Sequence, residues 1–168
     1  MLVERPAPLV RLAEAADAEA TRAIYNLEVT ESTVTFDLVP RTLEQQQAWL
    51  AAHTGAHPAV TALDGDDVVG FGSLSEYRDR PAYATTVEDS VYVRRDRRSQ
   101  GVGRLILDEL LRLGTTHGFH AVVARIVGDH EASIALHRSA GFDMVGVERE
   151  VGRKFGRWLD VVEMQRLL

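Results

Sequence analysis

The sequence predicts an α/β fold of the mixed α+β kind, with one mixed sheet carrying packed helices. Three observations predict it. Short β-branched apolar runs are bounded by turn residues, other stretches repeat their apolar residues at helical spacing, and the two kinds alternate through the second half of the chain. With 168 residues the chain can bury one continuous core but not two comfortable ones, so residues 1–168 read as a single domain. Nothing repeats at a solenoid period, and no linker divides the chain.

A strand opens the order of elements. After Asp17, which stands where an N-cap belongs, Ala20, Ile24 and Leu27 recur at helical spacing. Thr42-Leu43-Glu44-Gln45 forms a capping box that starts a second helix, running through Trp49 and ending before Gly55 and Pro58. Residues 59–63 and 68–77 are apolar runs joined by Asp64-Gly65-Asp66-Asp67, the pattern of a hairpin. Residues 86–93 are rich in β-branched and aromatic types, and as a regular strand they place Glu88, Ser90 and Tyr92 on one face. Val102, Leu105, Ile106, Leu110 and Leu113 then mark a heavily buried helix, its stripe widened by Leu107 and Leu111. Ala121 to Val127 is a mostly apolar strand suited to a sheet covered on both faces. A helix from about Glu131 to Ala140 stops at Gly141, and strands near 142–151 and 157–166 follow, joined by Arg153-Lys154-Phe155-Gly156.

Composition excludes several functions. Hydrophobic residues at 45% and charged residues at 26% are ordinary for a globular protein. The absence of cysteine removes disulfides, thiolate catalysis and cysteine-ligated zinc. Any nucleophile therefore comes from the substrate or another residue type. A net charge of -6 argues against nucleic-acid binding. No apolar stretch approaches the roughly 18 residues of a membrane span, and the opening MLVERPAPLV lacks the apolar core of a signal peptide, so a soluble cytoplasmic protein is expected. His53 with His57, and His117 with His120, have metal-like spacings but no carboxylate companions, so no metal is expected.

The segment from Val91 to Arg104 carries the strongest functional signal. It places Gly101 and Gly103 between a strand and a long helix, with five arginines between Arg94 and Arg104. Glycines let a ligand approach the backbone, and a first helical turn presents unpaired N–H groups to an anion such as a pyrophosphate. The dipole adds only about 0.3 to 1 kcal/mol per anionic charge, so several N–H bonds and the arginines must act together. The alternative is a tight turn beside a solvated face. A Walker lysine and the third glycine of a dinucleotide fingerprint are both missing.

Arg98, followed three residues later by Gly101 and then by Gly103, resembles the acetyl-CoA motif of the GNAT superfamily of N-acetyltransferases. The resemblance runs along nearly the whole chain, through Ser32-Thr33-Val34-Thr35-Phe36, Glu88-Asp89-Ser90-Val91-Tyr92-Val93, Ser133-Ile134-Ala135-Leu136-His137 with Gly141-Phe142, and Gly152 to Asp160. Those segments are similar to the phosphinothricin and methionine sulfoximine acetyltransferases. The resemblance implies a central, twisted, mostly antiparallel sheet with helices on both faces, and acetyl-CoA as cosubstrate. It implies that Val91, Tyr92 and Val93 pair their backbone with the pantetheine arm, that Arg98, Ser99, Gln100, Gly101, Val102, Gly103 and Arg104 hold the pyrophosphate, and that Ser139 lies near the same cofactor. Where such enzymes commonly carry an asparagine that orients the CoA side, this sequence has His130.

Acetyl transfer to an amine needs a base, a polarised carbonyl and a proton for the leaving thiolate. Glu88 matches the glutamate given the role of base in the similar enzymes; the alternative is a surface carboxylate. A backbone N–H at Val93 or its neighbourhood is the oxyanion donor the analogy implies. Tyr92 is either catalytic or a packing residue, and His137 either donates a proton or is structural. Arg78 and Arg80, in a loop just before Glu88, suit the carboxylate of an amino acid, and the resemblance adds Phe36 and Tyr83 as pocket residues. The expected activity is transfer of acetyl to the α-amine of a small amino-acid analogue. Alternatives are another amine, such as a protein N-terminus, a polyamine or an antibiotic, and a non-catalytic acyl-CoA sensor. The resemblance implies a homodimer, with the Phe36 segment and the loop near Trp158 as its contact regions.

Overall fold

The computed structural model describes residues 8–168; the start of the segment compared with a signal peptide, residues 1–7, lies outside them. In chain order the elements are β1 (Leu9–Leu12), α1 (Ala18–Glu31), α2 (Leu43–Ala52), β2 (Ala59–Asp64), β3 (Asp67–Glu76), β4 (Thr86–Val93), α3 (Val102–Thr116), β5 (Ala121–Val127), α4 (Glu131–Ser139), β6 (Asp143–Lys154) and β7 (Arg157–Leu167). The order of strands and helices is the expected one. Three short 3-10 turns, at Ala15–Asp17, Pro81–Tyr83 and Arg95–Arg97, are additions.

The strands form one sheet in the order β1-β2-β3-β4-β5-β7-β6. Every neighbouring pair is antiparallel except β4 with β5. One face carries the main core, where Ile106, Leu107 and Leu110 of α3 and Ile134 of α4 meet Val87, Val122 and Met164. On the other face Ile24, Tyr25 and Val29 of α1 pack against Phe71, with Trp49 of α2 and Tyr92 alongside. Helix α3 comes close because β3 has no side chain at Gly72. A Cβ there would lie 2.6 Å from Cγ2 of Ile106 and 2.7 Å from the Ser90 carbonyl.

Thr42 caps α2 as its sequence indicates. Its hydroxyl accepts from the Gln45 N–H at 3.2 Å, while the Gln45 side chain accepts from the Thr42 N–H at 2.8 Å. Asp17 is the residue before α1, yet its carboxylate makes no cap bond there. It accepts instead from Arg11 at 2.8 and 3.0 Å and from the Glu14 N–H at 2.8 Å, closing the preceding 3-10 turn. The stripe α1 buries is Thr21, Ile24, Tyr25 and Glu28, with Leu27 outside it. The β6–β7 connection is tighter than the expected four residues: Phe155 and Gly156 turn the chain alone, both with positive φ.

The parallel pair positions the site. β4 and β5 are in register only from Thr86 opposite Ala121 to Glu88 opposite Val123. Beyond that point β4 continues beside β3, and β5 continues beside β7. A cleft opens between them.

Candidate active site

The Arg94 N–H donates to the Val69 carbonyl at 2.9 Å, which sets the hydrogen-bonding phase of β4 against β3. By alternation Ser90 and Tyr92 also bond to β3, while Asp89, Val91 and Val93 turn N–H and C=O toward the cleft. A cavity of about 760 Å³ fills the split, and all three residues line it. Past the end of the β5 pairing, β4 therefore offers the backbone of Val91 and Val93 to an extended ligand, with the Val93 carbonyl also accepting from Arg98 Nε at 3.3 Å.

At one end of the cavity α3 begins. Gly101, its N-cap, has φ 83°, which favours glycine, and Ser99 is also left-handed at φ 60°. The first α3 N–H with an intrahelical acceptor is that of Leu105, bonded to the Gly101 carbonyl at 3.1 Å. The N–H groups of Val102, Gly103 and Arg104 precede it and are left for an anion. A Cβ on Gly103 would sit 3.3 Å from Cδ2 of Leu136 and 3.6 Å from Cγ2 of Val93. Of the expected cofactor residues, Val91, Tyr92, Val93, Arg98, Ser99, Gly101, Gly103, Arg104 and His130 line the cavity; Gln100, Val102 and Ser139 do not. Val102 sends its side chain into the core, Gln100 donates to the Asp96 carbonyl at 3.1 Å, and Ser139 bonds to Arg104.

The five arginines are not the free positive patch their clustering suggests. Arg94 pairs with Asp96, Arg95 with Glu28 and Glu31, Arg97 with Asp64, Arg98 with Glu28 and Arg104 with Asp108. Glu28 is a residue the sequence reasoning missed. Its side chain is 4% exposed and receives Arg95 at 2.9 Å and Arg98 at 2.8 Å, fastening the loop before α3 to α1. Burial alone would raise its carboxyl, and the hydrogen bond from Arg95 together with that of Ser32 and the arginine charges outweighs it. The signal was a glutamate four residues after Ile24, in the buried stripe.

At the other end Val34, Thr35, Phe36, Glu88 and Arg125 line the cavity. Glu88 is partly buried, and no hydrogen bond reaches its carboxylate among the described residues. Burial pushes its carboxyl above the ordinary value; Arg125 opposes the shift, and Asp89 and Glu163 add to it.

Two expected catalytic residues are engaged by their surroundings. Tyr92 stacks on Phe71 at 5.2 Å and meets Tyr25 edge-on at 5.1 Å, and burial pushes its hydroxyl up. His137 holds Asp89 through Nε2 at 2.9 Å and the Ser133 carbonyl through Nδ1 at 2.8 Å, with side-chain exposures of 4% for His137 and 1% for Asp89. Burial disfavours its charged form, yet Asp89 outweighs burial and keeps the imidazole above its ordinary value. The pair ties α4 to β4 where the cleft begins. His130, at the start of α4, is held below the ordinary value by burial and by the Arg98 charge.

Arg78, Arg80 and Tyr83 do not line the cavity. Arg78 lies over the rings of Tyr77 at 4.8 Å and Tyr83 at 5.3 Å, and Arg80 is exposed just before the 3-10 turn at Pro81–Tyr83. His53 stacks on Trp49, and among the described residues no group of three His, Cys, Asp or Glu side chains is arranged for a metal. No described helix is long and apolar enough to cross a membrane.

An unpaired strand edge leading to the bare N-terminus of a helix is an arrangement for a long ligand with an anionic end. A family model described as an acetyltransferase (GNAT) domain matches residues 10–162. The chain belongs to the GNAT acetyltransferases. An L-methionine sulfoximine/L-methionine sulfone acetyltransferase of Pseudomonas paraeruginosa is 39% identical over 158 residues, 93% of this chain and 92% of that one. A phosphinothricin N-acetyltransferase of Streptomyces coelicolor is 38% identical over 156 residues, 90% and 91% of the two chains. The crystal structure of a GNAT superfamily phosphinothricin acetyltransferase from Sinorhizobium meliloti in complex with AcCoA superposes with a TM-score of 0.93 at 38% identity, covering 97% of this chain and 89% of that one.

GNAT acetyltransferases take their acetyl group from acetyl-CoA, and this chain's residues fit that cosubstrate. The open edge at Val91 and Val93 matches the amides of a pantetheine arm, and the α3 N–H groups match a pyrophosphate.

The Asp89–His137 pair makes a stability prediction for this GNAT acetyltransferase. Asp89→Asn leaves a buried imidazole without its carboxylate and costs about 1–3 kcal/mol by thermal or urea unfolding. Because the folded-state value of His137 is raised, its contribution is fully present below the ordinary histidine range and is lost as pH rises through the raised value. The gap between wild type and variant is therefore widest at acidic pH and narrows on the alkaline side. A gap independent of pH would show that His137 is neutral in the pair.

Proposed function

We propose that the chain, acting as one domain in the cytoplasm, transfers acetyl from acetyl-CoA to the α-amine of a small amino-acid analogue, with Glu88 as general base. One observation carries this reading. A partly buried carboxylate with no hydrogen-bond partner among the described residues stands at the point where β4 and β5 part, in the same cavity as the phosphate loop. The names of the relatives, which act on methionine sulfoximine, methionine sulfone and phosphinothricin, support the acceptor class.

Acetyl-CoA supplies a thioester carbonyl open to attack. Glu88 takes one proton of the acceptor ammonium, directly or through one water, freeing the lone pair that forms the new C–N bond; as the C–S bond breaks, CoA leaves as its thiolate and takes the second proton that the nitrogen sheds on becoming an amide. The Val93 N–H, or that of Val91, donates to the carbonyl oxygen as it gains charge, from a strand already held by β3. Arg98, Ser99, Gly101, Gly103 and Arg104 hold the phosphates around the start of α3, with Val102 contributing its N–H. His130 borders the cofactor arm in place of the usual asparagine. Tyr92 forms the aromatic floor beneath the reacting groups, and His137 fixes the cleft through Asp89. Phe36 closes the acceptor end, with Arg78, Arg80 and Tyr83 as an outer rim. A homodimer fits the apolar side chains left in solvent at Phe36, Met144, Val147, Val151, Phe155 and Trp158; sedimentation tests it.

A thiol-release screen tests the function. L-Methionine sulfoximine, L-methionine sulfone and phosphinothricin are expected to be turned over in preference to polyamines, aminoglycosides and a peptide N-terminus. Preference for one of the latter moves the acceptor class, and binding without release from any amine makes the chain a sensor.

The raised carboxyl of Glu88 sets a pH dependence. The base works only when deprotonated, so kcat/KM falls as pH drops through a value above the ordinary glutamate range. An acidic limb at the ordinary carboxylate position would mean that the base is solvated or is another residue.

A further inference from the structure

Residues 32–42 join α1 to α2 without helix or strand, yet Val34, Thr35 and Phe36 of this connection line the acceptor end of the cavity. Among the described residues, positions 33–40 form no backbone–backbone hydrogen bond. A wall without a ladder needs side chains to hold it.

Three contacts do so. From α1, the Tyr25 hydroxyl bonds to Thr35 Oγ1 at 2.8 Å, and that oxygen also accepts from the Asp37 N–H at 3.3 Å. From the end of β6, Lys154 Nζ donates to the Thr35 carbonyl at 2.8 Å, across 119 positions of sequence. The Phe36 ring lies against Gly152, where a Cβ would stand 2.4 Å from Cε2 and 2.5 Å from Cζ. Gly152 and Lys154 are two apart on β6 and both buried, while Val151 and Arg153 are exposed, so one face of the strand meets the wall.

Lysine is an unfavourable choice for such a place. It is 4% exposed, no described carboxylate pairs with it, and its bond is to a neutral carbonyl. Burial pushes its ammonium below the ordinary value, with the charges of Asp37 and Glu28 opposing. Packing alone would favour an apolar chain of that length. What the ammonium adds is a directed hold on Thr35.

We propose that Lys154, together with Gly152, is a positioning residue of the acceptor site: the two fix the Val34–Phe36 wall against β6 and so set the room left for the acceptor side chain beside Glu88. The proposal rests on the reading of this end of the cavity as the acceptor end. Neither residue lines the cavity, so both act through Thr35 and Phe36.

The test is steady-state kinetics of Lys154→Met and Gly152→Ala in the full chain, with L-methionine sulfoximine or whichever amine the thiol-release screen prefers. A change of acceptor class then alters the substrate and leaves the test standing. Lys154→Met keeps the length of the side chain without its ammonium, and Gly152→Ala drives the Phe36 ring off β6 with the ammonium intact. Each is expected to raise the KM for the acceptor about 10-fold with kcat changed less, the pattern of lost acceptor binding, while the Kd for acetyl-CoA by calorimetry stays unchanged. Thermal unfolding separates this role from a structural one. Lys154→Met is expected to keep a Tm near that of wild type, because an apolar chain replaces a buried charge. An early-melting variant in which the acceptor KM and the acetyl-CoA Kd weaken together would make Lys154 a general brace and overturn the proposal. So would an unchanged acceptor KM in both folded variants; if Lys154→Met does not fold, Gly152→Ala alone decides. Thiol release with no amine at all fails earlier, at the function itself, and takes the proposal with it.

Discussion

Glu88→Gln lowers kcat by roughly 10²- to 10⁴-fold, the range for removing a positioned general base, while leaving the affinity for acetyl-CoA nearly unchanged. The two effects separate because Glu88 is on the opposite face of β4 from Val91 and Val93, beyond the strand edge proposed for the cofactor arm. Glutamine keeps the shape and polarity of the side chain but cannot accept the ammonium proton. Removing a carboxyl already held above its ordinary value by burial also removes a strained charge, so the variant is expected to fold at least as stably at neutral pH. The measurement is steady-state kinetics beside calorimetric titration of acetyl-CoA. Full activity at neutral pH in the variant would make Glu88 a strand residue and leave the base to be found elsewhere in the cavity.

Gly103→Trp is expected to abolish acetyl-CoA binding with the fold intact. A Cβ at this position already lies 3.3 Å from Leu136 and 3.6 Å from Val93, so an indole cannot extend toward α4 or β4 and must fill the cavity at the phosphate end. Gly103→Ala is the companion variant. Its methyl needs a shift of only a few tenths of an ångström, and it retains binding that Gly103→Trp lacks. Calorimetry reads the affinity and far-ultraviolet circular dichroism reads the fold. Unchanged affinity in a folded Gly103→Trp would remove the phosphates from the start of α3.

Much of the scaffold was legible because its signals are local. The Thr42–Gln45 box, the Asp64-Gly65 hairpin and the wide stripe of α3 each depend on residues within a few positions of one another. The glycine turn before α3 was legible for the same reason, since Gly101 acts through its own backbone. What escaped depends on tertiary contact. Glu28 meets Arg95 and Arg98 from 67 and 70 residues away, and Asp89 meets His137 across 48, so neither pairing leaves a mark in any short window. The arginine cluster illustrates the limit most clearly, because charge density along the chain is visible while the acids that neutralise Arg95, Arg97 and Arg98 arrive from α1 and from the end of β2.

The most direct test of the central claim, that the β4–β5 split is the site of acetyl transfer with Glu88 as base, is a crystal structure with CoA and L-methionine sulfoximine bound together. The pyrophosphate is expected on the N–H groups of Val102, Gly103 and Arg104, and the pantetheine arm along Val91 and Val93. The acceptor nitrogen is expected within about 2.6–3.2 Å of a Glu88 oxygen, or joined to it by one water. An acceptor whose amine faces no carboxylate, or a pantetheine arm that leaves the edge of β4, would contradict the account.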